Sequence, residues 1–141
     1  MKIIAVDFGD ARTGLAACDP TEFLASPLGV IKEKSMAATA GKVAEASQKE
    51  GAGMIVIGLP KNMDGTEGPR AQKCRKFAGL VREMVSVPVE LWDERQTTIT
   101  AAGILSENGT FGKKRKQTID AVAAVVILES YMAHRRNLRT G

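Results

Sequence analysis

Histidine, cysteine and long apolar runs are scarce in this chain of 141 residues, and their scarcity excludes several kinds of site. The two cysteines, Cys18 and Cys74, lie far apart with no CxxC spacing, and His134 is the only histidine, which excludes a Cys/His zinc site. We expect both cysteines to be small apolar core residues rather than a disulfide. No GxSxG motif is present, and neither cysteine has a base beside it in the sequence, so nucleophilic catalysis has no support.

The longest apolar run, residues 121–128, is far shorter than the roughly 20 residues that cross a bilayer. The first residues enter a strand-like segment without the organisation of a signal peptide, so we expect a cytoplasmic protein with no membrane partner. Hydrophobic residues make up 44% of the chain and charged residues 26%, which is close to the globular average. We therefore expect one folded domain over residues 1–141.

The excess positive charge is confined to the C-terminal part of the chain. The net charge is +4, and residues 112–141 hold seven basic and two acidic side chains, whereas the other 111 residues balance at −1. A concentrated positive field next to a balanced body suits a polyanion such as nucleic acid, because each neutralised phosphate releases counterions. A solvated loop is the alternative explanation for the basic run.

The apolar patterning predicts a mixed α/β sheet in the order β-β-β-α-β-α-β-α. A helix over 36–50 is predicted with Ser35 as its N-cap and Gly51 as its C-cap, and a helix over 69–85 begins with proline. We expect a last helix from Thr118 to residue 133, with Arg135 and Arg136 at its negative end and a basic loop before it. The predicted strands are residues 2–7, 13–18, 25–31, 54–58 and 87–92, and a further short helix is predicted over 98–105.

Acidic residues fall where the strands and the last helix converge. Asp7 ends the first strand, Asp93 and Glu94 end the fifth, and Asp120 lies in the first turn of the predicted last helix. Carboxylates brought this close repel one another unless they are protonated or bridged by a cation, and such oxygen ligands suit Mg²⁺ or Mn²⁺. Two ions about 4 Å apart would activate a water and stabilise the departing oxygen in phosphodiester hydrolysis.

Each acid also has a simpler interpretation. Asp7 could begin a turn at Phe8 and Gly9, and Asp120 could complement the positive end of its helix. Asp93 and Glu94 could be a surface charge cluster. The hypothesis of a cation site depends on the acids lying together, which the sequence implies only through the predicted fold.

Four motifs, in order, resemble those of the YqgF family, whose members are also called RuvX or pre-16S ribosomal RNA nuclease and were earlier described as Holliday-junction-resolvase-like. They span about residues 3–133, and the second and third are the most specific. The motifs are VDFG with RTG at residues 6–9 and 12–14, VIGLP with NMDGT at 56–60 and 62–66, DERQTT at 93–98, and DA with AA at 120–121 and 123–124.

The resemblance implies a ribonuclease-H-like fold and a metal-dependent nuclease of the cytoplasm that matures the 5′ end of 16S ribosomal RNA. Carried over by motif, Asp7, Glu94 and Asp120 would be the acidic ligands and catalytic residues, with Asp93 as a fourth ligand. Alternation along the strand puts Asp93 and Glu94 on opposite faces, and the family motif favours Glu94. The chain departs from related junction resolvases after the fourth strand, where they place a glutamate and this sequence has Gly58-Leu59-Pro60.

Basic residues near these acids are candidates for binding nucleic acid. Arg12 and Arg95 could hold a phosphate through a planar fork of donors, and ordinary turn chemistry or surface ion pairing is the alternative. A strand held by the basic run would lie beside the proposed metals. Trp92 and Tyr131 are expected in the core or an interface. The run consists of Lys113, Lys114, Arg115 and Lys116.

Three hypotheses for function stay open at this stage. The first is an endonuclease that cuts structured RNA, and the second is a resolvase that cuts branched DNA by the same chemistry, because two-metal hydrolysis needs no 2′-hydroxyl. The third is a non-catalytic assembly or transcription factor that binds nucleic acid. Sugar kinases and actin-like ATPases open with a phosphate-binding turn similar to Asp7-Phe8-Gly9. They need two domains of this kind, and we do not expect 141 residues to supply them. Resolvases act on two strands and so favour homodimers, but no sequence feature identifies a dimer face.

Overall fold

Five strands and three helices form the part of the chain that the computed structural model describes, residues 1–94 and 112–140. For residues 112–120, 139 and 140, only the backbone is described. The strands are β1 (Ile3–Asp7), β2 (Arg12–Cys18), β3 (Ala25–Lys32), β4 (Met54–Leu59) and β5 (Val89–Asp93), and the helices are α1 (Met36–Glu50), α2 (Pro69–Met84) and α3 (Gly112–Thr140). The short helix predicted over residues 98–105 lies outside this part.

The strands form one mixed sheet in the order β3-β2-β1-β4-β5, which confirms the predicted fold class. Strands β1, β4 and β5 run parallel, whereas β2 runs antiparallel to both β1 and β3. The carboxyl ends of the three parallel strands therefore lie at one edge of the sheet, which we call the carboxyl edge. Residues Asp7, Leu59 and Asp93 end these strands.

The two faces of the sheet are covered by different helices. Helices α1 and α2 cover one face, where side chains such as Ile4, Ile57 and Phe77 form a core. Helix α3 covers the other face, whose core includes Val56 and Leu128. Because side chains alternate along a strand, residues two apart on β1, β4 and β5 meet the same helix layer.

The first two helices begin where the sequence predicts, and α1 ends at the predicted residue while α2 ends one residue earlier than predicted, at Met84. The Ser35 hydroxyl accepts a hydrogen bond from the Ala38 amide at 3.2 Å and so caps α1. Gly51 ends this helix with a φ of 66°, a left-handed conformation that glycine adopts without steric cost. Helix α2 starts at Pro69, which has no amide hydrogen to leave unpaired.

The predicted start of the last helix is wrong. Helix α3 begins at Gly112, six residues before Thr118, so Thr118 is not an N-cap and the four basic residues at 113–116 are in a helix rather than a loop. Lysine, arginine and glutamine are good helix formers, and the sequence between Gly112 and Thr118 contains no helix breaker. The helix also continues to Thr140, so Arg135 lies in its interior and not at its negative end.

Interior side chains of α3 make polar contacts with the segment between β2 and β3 and with β5. Arg135 donates to both carboxylate oxygens of Glu22, with N···O distances of 2.6 and 3.3 Å, and Glu22 is only 5% exposed. This ion pair holds the pKa of Glu22 below its usual range. Trp92 donates to the Ser130 hydroxyl at 3.0 Å, and its ring meets that of Tyr131 edge to face. Both aromatic residues therefore belong to the core, as predicted.

The remaining general predictions concern cysteine and the membrane. Cys18 and Cys74 are both buried and unbridged, which confirms their interpretation as apolar core residues. Within residues 1–94 and 112–140, no helix combines the length and the apolar character that spanning a bilayer requires.

The Glu22–Arg135 pair gives a first testable prediction. Arg135→Met should lower the free energy of unfolding by about 2 kcal/mol, because it leaves a nearly buried carboxylate without its main partner. The measurement is urea unfolding at pH 7. Lys42→Met serves as the control and should cost less than about 0.5 kcal/mol, because Lys42 pairs with Glu33 at 3.5 Å near the surface. Equal losses for the two variants would contradict the prediction.

Candidate active site

Asp7 is placed at the carboxyl edge by the end of β1. Its side chain follows Ile3 and Ala5 in the alternation along the strand, so it is on the face that α3 covers. The chain then turns sharply at Gly9, where a Cβ atom would collide with the carbonyl oxygen of Arg12. Glycine is therefore required for this turn, which fixes the direction in which the strand leaves Asp7.

Glu94 comes to the same place from the end of β5, which only β4 separates from β1 in the sheet. Its carboxyl group lies directly over Gly58 of β4: a Cβ atom at Gly58 would be 2.9 Å from Cδ of Glu94 and 2.7 Å from Cδ1 of Ile127. Gly58 is on the α3 face, as Val56 is, and it is level with Trp92 of β5. The missing side chain at Gly58 therefore makes the space that Glu94 occupies beside Asp7.

The carboxyl groups of Asp7 and Glu94 are in hydrogen-bond contact. Two carboxyl groups can share a hydrogen bond only if one of them keeps its proton. Burial raises the pKa of Glu94 to about 7, and the negative charge of Asp7 and its hydrogen bond add to the rise. The pair thus retains a proton near neutral pH, or holds a cation in its place.

The structure distinguishes between the two acids that end β5. Leu91 packs into the core under α1 and α2, and Trp92 packs under α3, so Asp93 follows the face of Leu91 and Glu94 the face of Trp92. Among the residues whose side chains are described, no three acidic, histidine or cysteine side chains converge as a cation site would require. Asp93 therefore does not complete such a cluster with Asp7 and Glu94.

Asp120 is the third acid that the sequence nominates, and its side chain lies outside the described part. Its backbone is in α3, seven residues before Ile127, the residue that faces Gly58 and Glu94. Seven residues are two helical turns, so position 120 is on the helix face that packs on the sheet. Asp120 is also eight residues from the start of α3, beyond the first turn in which a carboxylate complements the helix dipole. That alternative interpretation of Asp120 is therefore wrong.

Arg12 begins β2 on the α3 face, in the same alternation as Ala16. Its Nη1 atom is buried and has no hydrogen-bond partner within the described residues. A buried donor without a partner lowers the stability of the fold. An oxygen atom of a ligand that accepted a hydrogen bond from this donor would remove that cost. Other candidates for nucleic-acid binding cannot be placed in this way, because Arg95 and the side chains of Lys113, Lys114, Arg115 and Lys116 lie outside the described part.

Sequence reasoning missed two residues of this site, Gly58 and Arg70. Nothing in the local sequence indicates the role of Gly58, because its packing against Glu94 depends on contacts between distant segments. Arg70, the second residue of α2, donates to the carbonyl oxygen of Phe8 and exerts a positive field that partly offsets the raised pKa of Glu94. An arginine after a proline carries no local signal that could have identified it.

The fold and the site together define a class of protein. A solved structure of Thermus thermophilus RuvC in complex with a Holliday junction substrate superposes with a TM-score of 0.63 over 96% of both chains, at 16% sequence identity. At that identity the likeness shows the fold alone, which is the ribonuclease-H-like fold. In this chain the carboxyl pair of Asp7 and Glu94 lies where the parallel strands of that fold end.

Comparison of sequences then gives the family. The RuvX family, described as "Holliday junction resolvase", matches residues 1–134, and this chain belongs to it. A relative from Pelotomaculum thermopropionicum, named "Putative pre-16S rRNA nuclease", is 43% identical over 94% of this chain and 86% of its own length. A relative of the same name from Thermoanaerobacter pseudethanolicus is 39% identical over 97% of this chain and 99% of its own length. The resemblance inferred from the four motifs is confirmed.

Gly58→Ala should disable the site with little loss of folding. The new methyl group would take the space of the Glu94 carboxyl group and force it away from Asp7. We expect cleavage of nucleic acid to fall by at least about tenfold, since misplacing one catalytic group costs this much or more. Gly79→Ala is the matched control, because a Cβ at Gly79 of α2 meets nothing within 4 Å, and its activity should equal that of the wild type. Full activity of Gly58→Ala would contradict this geometry.

The raised pKa of Glu94 predicts how stability depends on pH without divalent cations. Its pKa is about 7 in the folded protein against a usual 4.5, so the folded state binds more protons between these values and loses stability as pH rises through them. Glu94→Gln cannot ionise and should gain stability relative to the wild type over that interval. The measurement is the Tm in EDTA from pH 4.5 to 8. Parallel curves for the two proteins would show that Glu94 titrates normally.

Proposed function

We propose that this chain is a nuclease that uses divalent cations to hydrolyse phosphodiester bonds of structured RNA, in the maturation of the 5′ end of pre-16S ribosomal RNA. The observation that carries the proposal is the contact between the Asp7 and Glu94 carboxyl groups at the carboxyl edge. Membership of the RuvX family makes the chain a hydrolase of nucleic-acid phosphodiester bonds, and the names of the curated relatives support the ribosomal RNA precursor as substrate.

The residues at the carboxyl edge fit a divalent cation. Nucleases of this kind generally depend on such a cation, and carboxylate oxygens are the ligands that Mg²⁺ and Mn²⁺ prefer. Asp7 and Glu94 would hold it, and Asp120 would be a third ligand from the facing helix. The shared proton of the pair marks the excess negative charge that a cation would neutralise. The chemistry supplied by the cation is the activation of a water and the stabilisation of the leaving oxygen.

The protein supplies the orientation of the substrate. Arg12 is on the same sheet face as Asp7, and its Nη1, which has no hydrogen-bond partner among residues 1–94 and the described side chains of α3, is suited to donate to a phosphate oxygen beside the carboxyl pair. In our proposal Arg95 and the basic first turns of α3, Lys113, Lys114, Arg115 and Lys116, hold the flanking backbone. Asp7 and Glu94 keep their positions through the Gly9 turn and the space over Gly58.

Two variants test the proposal. Wild-type protein with Mg²⁺ or Mn²⁺ should cleave precursor 16S ribosomal RNA, and Asp7→Asn should reduce the rate by about a thousandfold or more, as loss of a ligand or transition-state group does. The matched control is Glu83→Gln, because Glu83 is exposed near the far end of α2, and its rate should equal that of the wild type. The measurement is the single-turnover rate on end-labelled RNA.

A four-way DNA junction is offered in parallel. Cleavage of the junction with no cleavage of RNA would replace the proposed substrate by branched DNA. Cleavage that survives Asp7→Asn would reveal a contaminating nuclease. Binding of RNA without cleavage by the wild type, in either metal, would favour a non-catalytic assembly factor.

A further inference from the structure

The side chain of Arg70 in α2 contacts the turn that follows Asp7. The Arg70 guanidinium donates through Nη2 to the carbonyl oxygen of Phe8, and its Nη1 is 3.4 Å from Oδ1 of Asp10. The same guanidinium lies over the Phe8 ring, with Cζ 5.8 Å from the ring centre. A single planar group thus contacts the backbone and ring of the residue after Asp7, and the carboxylate three residues after it.

A second residue of α2 contacts the Phe8 ring. The rings of Phe8 and Phe77 stack at 4.3 Å with an angle of 20° between their planes, and Phe77 is fully buried. Phe77 follows Arg70 by seven residues, which is two turns along the same helix. Helix α2 therefore fixes Phe8 at its ring and at its carbonyl group, and the peptide that leaves Asp7 has little freedom to move.

The charge of Arg70 is not what this arrangement requires. Asp10 is 65% exposed, so its ion pair with Arg70 contributes little, and Lys73 already lies 3.4 Å from the same carboxylate oxygen. The contact with the Phe8 carbonyl is different, because a lysine has no planar fork that could meet this oxygen, the ring and Asp10 together. The arrangement therefore depends on the planar shape of the guanidinium, which lysine lacks.

We propose that Arg70 is a positioning residue for Asp7, and that it acts through the geometry of its guanidinium on the Phe8–Asp10 turn. This inference rests on the proposed function, since the position of Asp7 matters only if its carboxylate holds a cation and the reacting phosphate. Arg70 itself makes no contact with substrate in this account.

The test compares Arg70→Lys, which keeps the charge, with Arg75→Lys. Arg75 is on the same helix and forms an exposed two-point ion pair with Glu67 at 2.6 Å, so it controls for losing an arginine from α2. Arg70→Lys should weaken Mn²⁺ binding to the protein without substrate and should lower kcat, each by about tenfold, the equivalent of one charge-assisted hydrogen bond. The KM for RNA should stay within about twofold, and Arg75→Lys should match the wild type.

Other results of these measurements would overturn the proposed role of Arg70 or the proposed function. Wild-type Mn²⁺ affinity and kcat in Arg70→Lys would overturn the inference, and so would a higher KM with unchanged Mn²⁺ affinity, which would make Arg70 a substrate contact. An equal loss in Arg75→Lys would also overturn it. If the wild type binds Mn²⁺ but cleaves no nucleic acid, the proposed function fails, while the Mn²⁺ titration of the two variants still decides the role of Arg70. A wild type that binds no Mn²⁺ would overturn both.

Discussion

Two carboxyl groups that repel each other are held in contact at one edge of the sheet. Asp7 and Glu94 come from the ends of two parallel strands separated by β4, and folding brings them together against their electrostatic repulsion. The neighbouring features follow from this constraint: Gly58 leaves room for the Glu94 side chain, the Gly9 turn directs the chain away from Asp7, and Arg70 secures that turn.

The middle strand of the parallel set, β4, contributes a glycine rather than an acid to the carboxyl edge. Gly58 lies near the carboxyl end of β4, and the Glu94 carboxyl group that follows β5 lies over that glycine. A carboxylate is thus present above β4 although β4 does not supply it. The Glu94 carboxyl group can occupy this place only while position 58 is glycine, because any side chain at position 58 would displace it.

Local signals in the sequence were enough for most of the fold. Ser35 and Gly51 bound α1 because an N-cap hydroxyl and a left-handed glycine act on their own neighbours. The prediction of Thr118 as an N-cap was wrong because it also relied on a local signal. Threonine is a good cap residue, but the residues before it are good helix formers and the helix begins earlier, at Gly112. The pairing of Asp7 with Glu94 followed from motif and topology, whereas the roles of Gly58 and Arg70 depend on contacts across distant segments that no local pattern encodes.

The proposed activity requires that Asp7 and Glu94 share one cation. Crystals of the wild type grown with Mn²⁺, measured at a wavelength where manganese scatters anomalously, test it directly. The predicted result is an anomalous peak in coordination contact with carboxylate oxygens of both Asp7 and Glu94, and no such peak in Glu94→Gln. A fully occupied manganese site elsewhere, with the two carboxyl groups still bonded to each other, would contradict the account.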